Sequence, residues 1–135
     1  MNTCIVYFSR TGNTKRLAQA IADTAKAPIY DLASAQPSGI ENFDLLILGT
    51  PVEGFRPAKE TLAFVENMPK VESKKAILFC THSLWKGSTF KILEKELAAK
   101  GYDTILSVSK KGMKPEKEAD FSDVLGEVKK ALEKQ

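Results

Sequence analysis

The chain has 135 residues, 43% hydrophobic and 8% aromatic, with a net charge of +3 and a pI of 8.8. That length suits one domain able to bury about two-thirds of its unfolded surface, and no stretch approaches the roughly 20 apolar residues that a bilayer span needs. Charge runs are mixed, as in Lys114-Pro115-Glu116-Lys117-Glu118, without the Arg-rich tracts or interleaved stacking aromatics expected of a nucleic-acid binder.

Thr3 to Phe8 reads as a first strand, apolar on both faces as a central parallel strand must be. A helix follows from about Asn13 to Lys26, with Leu17, Ile21 and Ala25 on one face. Pro28 to Leu32 is a short second strand, and its proline points to a sheet edge. Ala33 to Phe43 contains Pro37-Ser38-Gly39, so this crossover has room for a turn of helix at most. Asp44 to Gly49 is the third strand. Thr50 to Arg56 reads as a loop, with Pro57 in the first turn of a helix that buries Ala58, Leu62 and Val65 and stops at Pro69.

Lys75 introduces a fourth strand, Ala76 to Cys80, and Thr81 to Gly87 is a second long loop. Ser88 is placed to cap a helix packing through Phe90, Leu93 and Leu97 and ending at Gly101. Thr104 to Ser109 alternates as a half-covered edge strand would. Lys110 to Ala119 is a polar connection, after which Ser122 caps a last helix with Val124, Leu125, Val128 and Leu132 inward. Five strands alternating with helical segments predict an α/β three-layer sandwich over residues 1–135. Its doubly wound parallel sheet takes the order 2-1-3-4-5.

In such sheets a ligand sits beyond the carboxyl ends of the strands, where the strand order reverses. Three loops emerge there. The first, Ser9-Arg10-Thr11-Gly12-Asn13-Thr14, joins a strand to a helix N-terminus, where free N–H groups and the helix dipole favour an anion. Ser9, Thr11, Asn13 and Thr14 add neutral donors and Gly12 permits positive φ, so a phosphate dianion can be held without Arg10 touching it. The loop matches neither the mononucleotide nor the dinucleotide glycine pattern. Cys4-x5-Arg10 has the spacing of a phosphatase loop, but Ile5 to Phe8 form a strand that carries Cys4 to the far end, away from any nucleophile geometry.

The other two loops each carry one large ring, Phe55 and Trp85. Such rings either cover a ligand or fold back onto the core. Two of them beside a phosphate site suit a flat heteroaromatic ligand held between them, and FMN fits that description. His82, the sole histidine, either supplies a proton near such a ligand or is an ordinary loop residue. Cys4 and Cys80 lie at opposite ends of non-adjacent strands, too far apart to bridge. One His and two separated Cys form no metal cluster. The N-terminus has no basic region leading into an apolar run and cleavage site, so a cytoplasmic location is expected.

At these motifs the chain resembles the short-chain flavodoxins. Ser9-Arg10-Thr11-Gly12-Asn13-Thr14 is similar to their T/S-x-T-G-N-T phosphate loop, Gly49-Thr50-Pro51-Val52 with Gly54 to their second flavin loop, and Thr81 to Gly87 occupies the place of the third. The resemblance spans essentially the whole chain. It departs at Glu53 and Phe55, where many relatives put a Trp, and at Trp85, where many carry a Tyr. The third loop also lacks their glycine-rich, acidic character, and the basic pI differs from theirs.

The resemblance implies FMN as cofactor and electron transfer between redox partner proteins, as a monomer or weak dimer with no catalytic residue of its own. The implied cofactor contacts are Ser9, Arg10, Thr11, Gly12, Asn13 and Thr14 in the first loop. The second loop gives Thr50, Pro51, Val52, Glu53, Gly54 and Phe55, and the third Thr81, His82, Trp85 and Gly87. Gly54 is the position whose peptide could turn a carbonyl toward N5–H of a reduced flavin. Glu53 either lowers the potential of an anionic reduced flavin or points to solvent. Two other functions stand beside this one: an FMN-dependent nicotinamide–quinone reductase, and a binding module that keeps the fold without the cofactor.

Overall fold

The structure is a computed structural model that describes residues 2–82, 85–111 and 121–135, the side chain of residue 37 excepted. Its elements are β1 (Thr3–Tyr7), α1 (Asn13–Ala25), β2 (Ile29–Asp31), a 3-10 segment (Pro37–Asn42) and β3 (Leu45–Glu53). They continue with β4 (Arg56–Pro57), α2 (Lys59–Glu66), β5 (Lys74–His82), α3 (Thr89–Ala98), β6 (Tyr102–Lys111) and α4 (Ser122–Glu133). The long strands pair in parallel in the order β2-β1-β3-β5-β6, with β4 attached antiparallel to β3. Setting β4 aside, this is the expected 2-1-3-4-5 sheet.

Strand alternation sends side chains to two cores. Cys4, Val6, Leu46, Leu48, Ala76 and Leu78 face α2 and α3. Ile5, Tyr7, Leu45, Ile47, Ile77 and Phe79 face α1 and α4, with Leu17, Ala18 and Ile21 of α1 and Val124 and Val128 of α4 buried against them. Burial on both faces explains the unbroken apolar runs in the central strands. The 3-10 segment is too short to cover its end of the sheet. A shallow cavity of about 230 Å³, lined by residues including Tyr30, Ile40 and Phe43, remains beside β2.

Several boundaries move from expectation. Residues 50–53 are strand, because β3 runs on to pair with Arg56–Pro57 (Val52 opposite Pro57, Glu53 opposite Arg56). Pro57 therefore lies in the short edge strand, a position proline tolerates as well as a helix start, and Ala58 is the N-cap of α2. Strands β5 and β6 extend to a His82–Lys111 pair, taking in Thr81, His82, Lys110 and Lys111 from the expected loops. Thr104 and Leu106 pair with Ala76 and Ile77, leaving Ile105 as a bulge, so the expected alternation in β6 fails there. Ser88 is at the N-cap of α3 and Phe121 at that of α4, neither with a side-chain capping bond, which moves Ser122 into the helix. Helix α3 ends at Ala98, and Gly101 lies beyond it at φ 93, where a Cβ would meet the Val71 carbonyl at 1.8 Å. Residues 83 and 84 of the third loop and 112–119 of the polar connection lie outside the described residues.

Candidate functional site

The parallel register brings the ends of β1, β3 and β5 side by side, Tyr7 opposite Gly49 and Thr50 opposite Cys80. The three loops read from the sequence therefore leave the sheet next to one another. In the first loop the Gly12 amide donates to Ser9 Oγ at 3.1 Å, closing a turn that aims the start of α1 outward. Gly12 is the N-cap at φ 97 with no side-chain cap, so the N–H groups of the first helical turn are left for another acceptor. Nothing lies within 4 Å of where a Gly12 Cβ would stand, and Thr11 is exposed while Ser9 and Asn13 are half-buried. Asn13 Oδ1 accepts from Arg16 Nη2 at 2.5 Å, which brings a guanidinium to the helix start; this open donor set fits a phosphate group.

Thr14 is placed differently from its neighbours. It is buried, and its Oγ1 shares a 2.7 Å hydrogen bond with Thr81 Oγ1 at the end of β5. The pair ties the first loop to the third. Thr50 is also fully buried: its Oγ1 accepts from the Ala58 amide at 3.2 Å and from Thr61 Oγ1 at 2.9 Å. It anchors β3 to α2, and its role is positioning.

Arg10 turns away from the helix start. Its guanidinium pairs through Nε with Glu53, reaches Glu53 Oε1 at 2.9 Å and Glu60 Oε2 at 2.8 Å through Nη2, and lies 4.8 Å over the Phe8 ring. The hydrogen bond from Arg10 holds the Glu53 carboxyl below its usual range. Arg10 thus joins the first and second loops, and its charge is spent on two carboxylates. Glu60 was not legible as a partner, because it meets Arg10 only through folding.

Gly54 and Phe55 form the two-residue turn of the β3–β4 hairpin. Both have positive φ, 59 and 63, the signature of a type I′ turn, whose second position normally takes glycine. Phe55 holds this sparsely populated conformation because its carbonyl accepts the Ser88 amide at 2.9 Å and Gly87 packs onto it. A Cβ on Gly87 would come within 2.3 Å of that carbonyl. Second and third loops are locked by backbone. Pro51, Val52 and Glu53 are half-buried along the strand leading there.

The two rings neither fold into the core nor stand apart. Phe55 is 50% and Trp85 62% exposed, with centroids 5.6 Å apart and planes at 51°. At that separation the rings touch each other, and no flat ligand stands between them in this arrangement. His82 ends β5 with Nδ1 buried and unpartnered among the described residues. Burial, then Lys86 and Lys111, lowers its pKa below 6.5. Cys4 and Cys80 are free and buried, and burial pushes both thiols up to about 12. Among the described residues no three His, Cys, Asp or Glu side chains are grouped to hold a metal, and no helix is long and apolar enough to cross a membrane.

A family profile described as the flavodoxin domain matches residues 4–122. The chain is 32% identical over 108 residues to an uncharacterised protein of Methanocaldococcus jannaschii, spanning 78% of this chain and 71% of that one. It is 30% identical over 91 residues to a flavodoxin of Megasphaera elsdenii, spanning 62% of this chain and 66% of that one. In fold alone it resembles oxidised flavodoxin 1 of Bacillus cereus, at TM-score 0.85 and 22% identity over 100% of this chain and 99% of the other.

Proposed function

The chain belongs to the flavodoxin family, and from that premise we propose that residues 1–135 form one FMN-binding domain that carries electrons between redox proteins. The observation that carries this reading is the convergence of three loops around an open helix N-terminus rich in hydroxyl, amide and backbone N–H donors. Ser9, Thr11, Asn13 and the N–H groups at the start of α1 would hold the phosphate, with the helix dipole compensating its charge. Gly54, whose Cβ position is also free within 4 Å, would leave the hairpin room for a bound flavin. Phe55 and Trp85 together would offer it an apolar surface and keep water from it.

When bound, FMN supplies the redox chemistry, taking up and releasing electrons singly. The protein contributes position and field. Glu53 is neutralised in part by Arg10, so the field at the site owes less to this carboxylate than its place suggests. His82 is held uncharged at neutral pH by burial and two lysines. Free thiols at Cys4 and Cys80 suit the reducing conditions of a cytoplasm.

The test is the visible spectrum of the purified or FMN-reconstituted protein through stepwise reduction. A flavin spectrum that bleaches reversibly, without turnover of a nicotinamide nucleotide and a quinone, supports the carrier. Steady nicotinamide oxidation would make the protein a reductase, and a chain that stays colourless with added FMN would defeat the proposal.

A further inference from the structure

Phe55 and Trp85 are the most exposed large apolar side chains among the described residues, and cations stand on the elements around them. Lys15 lies in the first turn of α1, Arg56 beside Phe55, Lys59 at the start of α2, Lys86 beside Trp85, and Lys111 at the end of β6. All five are exposed, and none forms an ion pair among the described residues. Of the carboxylates at this end among the described residues, Glu53 and Glu60 share Arg10 and Asp123 pairs with Lys110, while Asp31 at the end of β2 is exposed. At the opposite end of the sheet the signs are mixed, Asp44 with Lys74 and Asp103 with Lys75. Among the described residues at this end of the sheet, cations therefore outnumber carboxylates.

An aromatic centre inside a polar rim of one sign is the anatomy of a transient docking surface, and the rim charge selects the partner by steering its approach. We propose that this face docks a protein whose own contact surface is acidic, with its carboxylates meeting Lys59, Lys86 and Lys111 around the Phe55–Trp85 pair. The inference rests on the carrier reading, since a carrier must meet its partner where its loops hold the cofactor. A protein surface is favoured over an anionic membrane. The two rings pack on each other and the Phe55 backbone is held by its bond to Ser88, so the pair presents a held patch and not a free wedge to enter lipid.

Trp85 is the sole tryptophan, so its fluorescence reports docking with or without flavin. The protein is titrated with an acidic plant-type ferredoxin, a basic cytochrome c, and vesicles of phosphatidylglycerol. The expected result is saturable quenching by the ferredoxin alone, weakened about tenfold or more between 0.05 and 0.3 M salt. The double variant Lys59→Glu, Lys86→Glu should weaken it by about tenfold at low salt. Lys70→Glu with Lys134→Glu, the same change of net charge placed far from the rings, should change it by less than about twofold. Equal effects of the two double variants, no salt-sensitive quenching by ferredoxin, tighter binding of the cytochrome, or a blue shift with vesicles in place of ferredoxin quenching would each overturn the proposal. A separate FMN titration keeps the two readings apart: lost flavin binding with ferredoxin docking intact would refute the cofactor and leave this surface standing.

Discussion

The Phe55 carbonyl accepts the Ser88 amide at 2.9 Å, and Gly87, the residue before Ser88, packs against that carbonyl at φ 59. A methyl group at Gly87 meets both a disfavoured backbone conformation and the Phe55 carbonyl at 2.3 Å. Gly87→Ala is expected to cost about 1–3 kcal/mol, read as a lower urea midpoint, and to weaken FMN binding by displacing the hairpin. Unchanged stability would mean that the two loops are not held by this contact.

Gly54 separates backbone from packing. It has φ 59 with nothing within 4 Å of its Cβ position, so Gly54→Ala introduces strain without a clash, of about 1–2 kcal/mol. In the flavin-loaded protein the same variant should lower the yield of the one-electron-reduced state, because alanine resists the peptide rotation that would present a carbonyl to N5–H. A redox titration indistinguishable from wild type would remove Gly54 from that role.

Thr14 and Thr81 share a buried 2.7 Å bond. Replacing either alone by valine strands a hydroxyl and should destabilise the protein by about 1–3 kcal/mol, while the double replacement should cost less than the sum of the two. Denaturation of the four proteins of this cycle checks the coupling. Strict additivity would show that the loops are tied elsewhere.

Much of this arrangement was legible beforehand. The unbroken apolar strands, the helix faces through Leu17 and Leu93, and the polar loop at Ser9 to Thr14 follow from local pattern, because period and turn chemistry are local properties. What failed is long-range or rests on unusual turn chemistry. Nothing near Arg10 announces Glu53 and Glu60, which meet it only after β1 and β3 pair. The β3–β4 hairpin has no local signature because Gly54-Phe55 lacks the glycine that marks the second position of such turns, and a tertiary hydrogen bond to Ser88 compensates. The buried bond from Thr14 to Thr81 is long-range too, and no local pattern in the Ser9 to Thr14 loop announces it.

Burial of His82 gives the chain a pH dependence. Its pKa is lowered in the folded protein, so in the window between that value and 6.5 the unfolded chain binds more protons, and stability falls as pH falls through it. His82→Gln should flatten this slope in urea midpoints measured from pH 7.5 to pH 5. Direct titration of His82 by NMR checks the sign, and a value above 6.5 would contradict it.

The most direct measurement is a calorimetric titration of the flavin-free protein with FMN and, in parallel, with riboflavin. With the helix N-terminus of α1 and its neutral donors gripping the phosphate, FMN should bind one per chain, and riboflavin more weakly by about 100-fold or more. Equal affinity for the two flavins, or no heat with either, would contradict the account.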